Sequence, residues 1–342
     1  MKQLTITRKN RQRKLFIIIG IFLALLLVGV WTRQWYQQQL LPVSDDSELR
    51  YITIEPGMSS TAIAESLHSE GVIRNVLAFR IHARLEQASH SIQAGFYGLA
   101  PNQSATDILT TLTAGEVASI VVRIPGGSEL TEIEEILIEA GFEPPDVASA
   151  LNEDYDLDLL DEKPAGTTLE GYLFPDTYHV EANGSAADIV RLALVNMQQQ
   201  LDADLVGAWR QRGFSIHEGL TLASIVQKEA PDSETQARVS QVFQTRLEQG
   251  MMLQADPTYL YAARQLGVNA TPGLDSPYNT YRYEGLPPAP IATIERSVLE
   301  AIASPSAGDY LYFVTGKDGV TRFSRTQREH DAYIQQHGVS GT

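Results

Sequence analysis

Leu220-Thr221-Leu222-Ala223-Ser224-Ile225-Val226-Gln227-Lys228-Glu229-Ala230, followed by Pro231, is the segment around which the other signals arrange themselves. Leu222, Ile225, Val226 and Glu229 stand at i, i+3, i+4 and i+7, so a helix here puts them on one face. A carboxylate thus sits on an apolar stripe. Pro231 biases Ala230 away from helical geometry and leaves Glu229 near the helix's carboxyl end. Desolvation and the negative end of the helix dipole both disfavour the charged form. The Glu229 pKa is therefore expected well above the ordinary glutamate value of about 4.3. A carboxyl that holds its proton near neutrality is what a general acid requires. Periodicity also leaves open a plainer arrangement, in which Glu229 reaches water or pairs with Lys228 or Arg238.

Downstream, Ser233 with Gln236 has a capping-box pattern, and Val239, Val242, Phe243 and Leu247 form the stripe of a helix closed by Gly250. Asp256 and Pro257 suit the cap and first turn of another helix. Ser276-Pro277-Tyr278-Asn279-Thr280-Tyr281 and Glu284-Gly285-Leu286-Pro287-Pro288-Ala289-Pro290-Ile291 read as rigid irregular loops that present phenols and amides, groups suited to sugar hydroxyls. Upstream, Ser119 to Ile124 reads as a strand, Ser128 opens a helix over Glu129 to Ala140, and residues 143–168 read as a connector. Before these, Tyr51 to Ile54 alternates as a strand. Helices follow through Ile63, Ala64 and Leu67 (capped by Ser60) and through Val76, Phe79, Ile81 and Leu85. A short strand at Gly95-Phe96-Tyr97-Gly98 precedes a helix from Ser104 ended by Gly115.

The chain has 342 residues, enough for about two domains. With 43% hydrophobic and 20% charged residues it is a folded protein, and the absence of cysteine removes disulfides, thiol nucleophiles and thiolate metal sites. A net charge of −16 argues against nucleic acid as a partner. Residues 1–36 carry seven basic and no acidic side chains, leaving −23 for residues 37–342. The uncharged run Leu15 to Thr32 would span roughly 27 Å as a helix, near the thickness of a bilayer core. Trp31, Trp35 and Tyr36 lie at its far end, and the basic excess before it places the amino terminus in the cytoplasm. A cleaved signal peptide is the competing reading, but the run is long for one and lacks a small-x-small site. Neither a P-loop, a G-x-S-x-G elbow nor a G-x-G-x-x-G is present, and His217-Glu218 lacks the second histidine of a zinc-protease helix. No cofactor and no metal are expected.

The chain resembles the endolytic murein transglycosylases, the YceG-like family of bacterial cell-wall lyases. The resemblance rests on an ordered series: Leu169-Glu170-Gly171-Tyr172-Leu173-Phe174-Pro175-Asp176-Thr177-Tyr178, the helix Ala223 to Glu229, Leu253-Gln254-Ala255-Asp256-Pro257-Thr258, Tyr278-Asn279-Thr280-Tyr281 and Gly285-Leu286-Pro287-Pro288. Tyr310 to Val314, a Gly316-Lys317-Asp318-Gly319 turn and Phe323 complete it. Gln227 and Ala289 depart from the family's usual Glu and Gly. The unit before residue 119 also resembles the LysM-like modules of wall proteins. The expected fold is α+β: a basic tail 1–14, a transmembrane helix 15–32, a stalk 33–50, a LysM-like βααβ subdomain 51–118, a strand–helix unit and connector 119–168, a catalytic domain 169–336 and a tail 337–342.

The resemblance implies a membrane-anchored lyase, outside the cytoplasm, that cuts the β-1,4 bond from N-acetylmuramic acid to N-acetylglucosamine within glycan strands. Its catalytic residue falls on Glu229, and Gln254, Asp256, Tyr278, Asn279 and Tyr281 become candidates for contacting glycan or orienting that glutamate. Expected partners are peptidoglycan strands and the cytoplasmic membrane, with the wall-synthesis machinery a candidate because nascent strands emerge there. A muramidase using Asp256 as second carboxylate and a non-catalytic wall-binding scaffold are the alternatives.

Overall fold

The computed structural model describes residues 3–339 and divides the chain into two compact units. One comprises the chain up to Ser119 together with Glu181–Asn183; the other takes Ile120–Val180 and the chain from Gly184 on.

The first unit begins with a 37-residue helix, α1 (Gln3–Gln39). Within Ile17–Gln39 an 18-residue stretch has a mean hydropathy of 2.0 and no buried residue, so by length and composition it could cross a bilayer. The helix continues past Thr32, so the first residues assigned to a stalk are helical. Met1, Lys2 and residues 340–342 of the two expected tails lie outside the described residues.

Beyond α1 come β1 (Arg50–Ile54), α2 (Ser60–Ser69), α3 (Val76–Leu85), β2 (Gly95–Leu99) and α4 (Ala105–Ala114). Strands β1 and β2 pair antiparallel, Ile52 opposite Tyr97, and the expected alternation holds: Ile52 and Ile54 are buried while Tyr51 and Thr53 face out. The α2 cap is Ser59, one residue before the expected Ser60. Ile52, Leu67, Phe79, Tyr97, Leu99, Ile108 and Leu112 form this unit's own core.

The second unit opens with β3 (Ser119–Arg123) and α5 (Leu130–Glu139), the latter capped at Glu129 rather than Ser128. The segment read as a connector is largely built in. It contains α6 (Pro144–Asn152), and Val147, Leu151, Tyr155 and Leu159 are all core residues. β4 (Thr177–Glu181) pairs with β3. Then follow α7 (Ala186–Gln200), α8 (Ala203–Gln211), α9 (Ile216–Glu229), α10 (Ser233–Glu248), α11 (Asp256–Leu266) and α12 (Arg296–Ala303). The antiparallel hairpin of β5 (Tyr312–Thr315) and β6 (Thr321–Ser324) precedes α13 (Gln327–His337).

α9 is the axis of this unit. It packs on α8, α10, α11 and α12, and every residue from Gly219 to Val226 is buried. The single stripe read from periodicity is therefore too narrow. Small Gly219, Ala223 and Ser224 let neighbours close on the other faces, and a helix apolar on every side is a core helix. Ser215 caps it, with Glu218 completing a capping box, so it starts a turn earlier than Leu220. A β-carbon at Gly219 would lie 2.1 Å from the indole of Trp209, itself fully buried and donating its N–H to the Leu299 carbonyl at 3.2 Å. Gly219→Ala is expected to lower the stability of this unit by about 2 kcal/mol through overpacking. Denaturant unfolding followed by the fluorescence of Trp209 measures it, and an unchanged midpoint would contradict this packing.

Candidate active site

α9 ends where the sequence places its stop: Ala230 is extended (φ −127°, ψ 124°) and Glu229 is the last helical residue. Buried polar groups on α9 then fasten the surrounding loops. His217 joins the Tyr172 hydroxyl and the Pro288 carbonyl, each at 2.8 Å, and so ties the 169–178 segment to the 285–291 loop. The Ser224 hydroxyl accepts the Ile291 N–H at 3.0 Å. Gly171, at φ +77°, lies where a β-carbon would meet Pro290 at 2.3 Å, so that residue must be glycine for the two segments to touch. Ala289 is buried and takes no left-handed backbone, so a methyl group fits there in place of glycine. Gln227 turns elsewhere and accepts the Glu295 N–H at 2.9 Å.

Glu229 opens onto a cleft of about 1150 Å³ in the second unit. One wall comes from the end of α9 and the start of α10, including Lys228, Asp232, Glu234 and Arg238. A second comes from Gln254, Asp256, Leu260 and Arg264, with Tyr281 beside them. The third is the β5–β6 hairpin with α13, presenting Tyr312, Phe313, Phe323 and His330.

Protein surrounds the Glu229 carboxyl on nearly every side, and its remaining edge faces the cleft. Burial pushes its pKa up to about 8, and the nearby Asp256 carboxylate adds to the rise. The Asp256 backbone N–H, in the first turn of α11, lies near the same carboxyl and opposes the shift without overcoming it. Asp256 is not the cap of α11, which is Ala255. Its carboxylate instead accepts the Tyr281 hydroxyl at 2.6 Å. Burial and that bond hold the Tyr281 phenol in its neutral form. Tyr281 also meets Tyr259 edge-on, ring centres 5.8 Å apart.

Gln254 holds a left-handed backbone (φ 55°) unusual for a side-chain-bearing residue. Its N–H donates to the Thr280 carbonyl at 3.1 Å, and its amide oxygen accepts from Arg246 at 3.3 Å. The structure thus gathers Glu229, Gln254, Asp256 and Tyr281 at one cleft.

Two expected contact residues lie elsewhere. Asn279 is fully buried, its amide donating to the Pro272 and Leu274 carbonyls while its oxygen accepts the Tyr281 N–H at 3.0 Å. It builds the loop and has no group left for a ligand. Tyr278 meets Tyr261 at a tilt, ring centres 5.1 Å apart, and does not line the cleft.

Several participants escaped the sequence reading. Arg246, buried, donates to the carbonyls of Leu311 (2.7 Å), Met252 (3.0 Å) and Leu253 (2.8 Å), pegging the hairpin to the 252–254 segment. Glu170, inside the Leu169–Tyr178 series, is buried with a pKa raised by desolvation to about 7. It accepts the Leu130 N–H and the Tyr261 hydroxyl, joining α5 to α11. An acid between Leu169 and Tyr172 was the available signal. The aromatic hairpin was legible as strands, but nothing local tied it to Glu229. Among the described residues no three His, Cys, Asp or Glu side chains gather as a metal site.

Residues 52–336 match the model of the YceG-like family. An endolytic murein transglycosylase of Bacillus subtilis is 32% identical over 316 residues, covering 86% of this chain and 87% of the relative. One of Streptococcus pneumoniae is 28% identical over 362 residues, covering 95% of this chain and 65% of the longer relative. The 2.6 Å crystal structure of a YceG-like protein from Listeria monocytogenes aligns with a TM-score of 0.55 and 30% identity, over 83% of this chain and 99% of that one. Sequence and structure agree, and the chain belongs to the YceG-like family.

Proposed function

We propose that this protein is a membrane-anchored endolytic peptidoglycan lytic transglycosylase with Glu229 as its acid–base residue. The observation that carries the reading is a carboxyl enclosed by protein at the edge of a large cleft, where burial pushes its pKa up to about 8. Membership of a family whose relatives are named endolytic murein transglycosylases supplies the substrate class. α1 serves as the tether and the βααβ unit as a LysM-like glycan-binding module.

In the reaction, Glu229 donates its proton to the glycosidic oxygen between N-acetylmuramic acid and N-acetylglucosamine as the bond from C1 to that oxygen breaks. The Glu229 carboxylate so formed accepts the proton of the muramyl C6 hydroxyl while O6 bonds to C1. The product is a 1,6-anhydromuramyl end and a free glycan hydroxyl. No water is consumed and Glu229 returns protonated, so a single carboxyl serves as acid and then base. The Asp256 N–H steadies the anion between the two proton transfers. Burial keeps the resting carboxyl protonated, repulsion from Asp256, which is held by Tyr281, adds to that effect, and Gln254 offers an amide to the glycan.

Glu229→Gln is expected to lower turnover of purified peptidoglycan at least about a thousandfold while the protein stays folded. Mass spectrometry of the wild-type digest should give anhydro ends. Reducing ends would identify a muramidase, and an absence of products a binding scaffold.

The acid step needs protonated Glu229, so kcat/KM should fall as pH rises through about 8. Asp256→Asn removes a repulsive charge, lowers that pKa and should move the alkaline limb to lower pH. A limb that stays in place would remove Asp256 from this role.

A further inference from the structure

We propose that Arg238 forms a carboxylate-binding subsite of the cleft, one that takes the carboxylate of the peptide stem carried by a glycan strand. The proposal rests on the reading of the substrate as peptidoglycan and goes beyond it by assigning the stem a contact.

Four cationic side chains line the cleft, and three are occupied. Arg264 is paired with the buried Glu129. Arg246 is buried and gives its Nε and Nη1 donors to the carbonyls of Leu311, Met252 and Leu253. Lys228 donates to the Gly127 carbonyl at 3.0 Å. Arg238 differs: among the described residues its guanidinium makes no ion pair and no hydrogen bond. It is nonetheless held in place. Its central carbon lies 4.0 Å from the centre of the Phe323 ring and 5.8 Å from that of Tyr310. A guanidinium packed on aromatic rings gives up little rotational freedom when it binds, and its edge keeps a fork of N–H donors matched to a carboxylate.

The acids that share the cleft lining form no ion pair with that fork. Asp232 accepts both the N–H and the hydroxyl of Thr235 at 2.9 Å. Glu132 accepts the Glu129 N–H at 2.8 Å. Glu234, one turn before Arg238 on α10, forms no ion pair with it. A bare glycan offers hydroxyls and acetamido groups, which leave a guanidinium's charge unanswered; a stem ending in a carboxylate answers it. The rest of the chain repels that ligand, since residues 37–342 sum to −23. A local cation on the wall of the same cleft overcomes this at short range, where screening matters least.

The test uses the full chain in lipid nanodiscs and two probes, an N-acetylmuramyl peptide with a free terminal carboxylate and the same molecule as its carboxamide. Calorimetric titration should show about tenfold tighter binding of the carboxylate by the wild type. In Arg238→Gln that ratio should fall to near one. Arg238→Lys, which keeps the charge and loses the fork, should lie between. Equal affinity for both probes in the wild type, or no binding of either, would overturn the subsite. So would a preference that survives in Arg238→Gln with an unchanged melting profile. Cleavage is assayed separately, on glycan strands with stems and on strands stripped of them by an amidase. Wild type that cuts neither refutes the transglycosylase reading while the binding difference stands. Wild type that cuts both without a binding difference refutes the subsite alone.

Discussion

Keeping water away from one carboxyl sets the terms for the second unit. An isolated carboxylate in such surroundings would cost several kcal/mol, so the group keeps its proton instead. That outcome requires a wall on every side but one. α9 supplies it by being buried from Gly219 to Val226, and α11 by presenting its first turn to the carboxyl. The apolar core and the chemistry are therefore one construction. Buried polar groups on α9, His217 and Ser224, meet loop partners that would otherwise be unsatisfied, so the irregular segments at the cleft inherit the rigidity of the helix.

Much of the candidate site was legible because its signals are local. A helix with a carboxylate in its apolar face and a proline two residues on can be read in twelve residues, and Glu229 lies where that pattern puts it. The β5–β6 hairpin was announced by its glycine turn, and Ile52 and Ile54 by strict alternation. The misses have one cause. Residues 143–168 are dense in Pro, Asp and Glu, yet spaced single apolar residues such as Val147 and Tyr155 reach the core, and composition conceals them. Asn279 carries the chemistry of a ligand contact, but an amide on a loop can as readily staple that loop, and only three-dimensional partners decide between them. The hairpin wall and Arg246 join segments some sixty residues apart, which no short-range pattern encodes.

Net charge also proved a poor guide to the cleft. The chain is strongly acidic outside its first 36 residues, yet cations stand among the acids of the cleft lining. Most are tied to specific partners, so the field a ligand meets is set by a few uncommitted groups rather than by the total.

The abrupt end of α9 has a consequence for how such chains can vary in length. Each residue along a helix turns its side chain by about 100° and advances it by about 1.5 Å. Inserting or deleting one residue between Ser215 and Glu229 would swing the carboxyl off the cleft, and Pro231 prevents the helix from extending to restore it. The exposed stretch from Gly267 to Ala270 carries no such constraint. Length differences among related chains should therefore collect in segments of that kind, and α9 should keep a fixed count of residues from cap to stop.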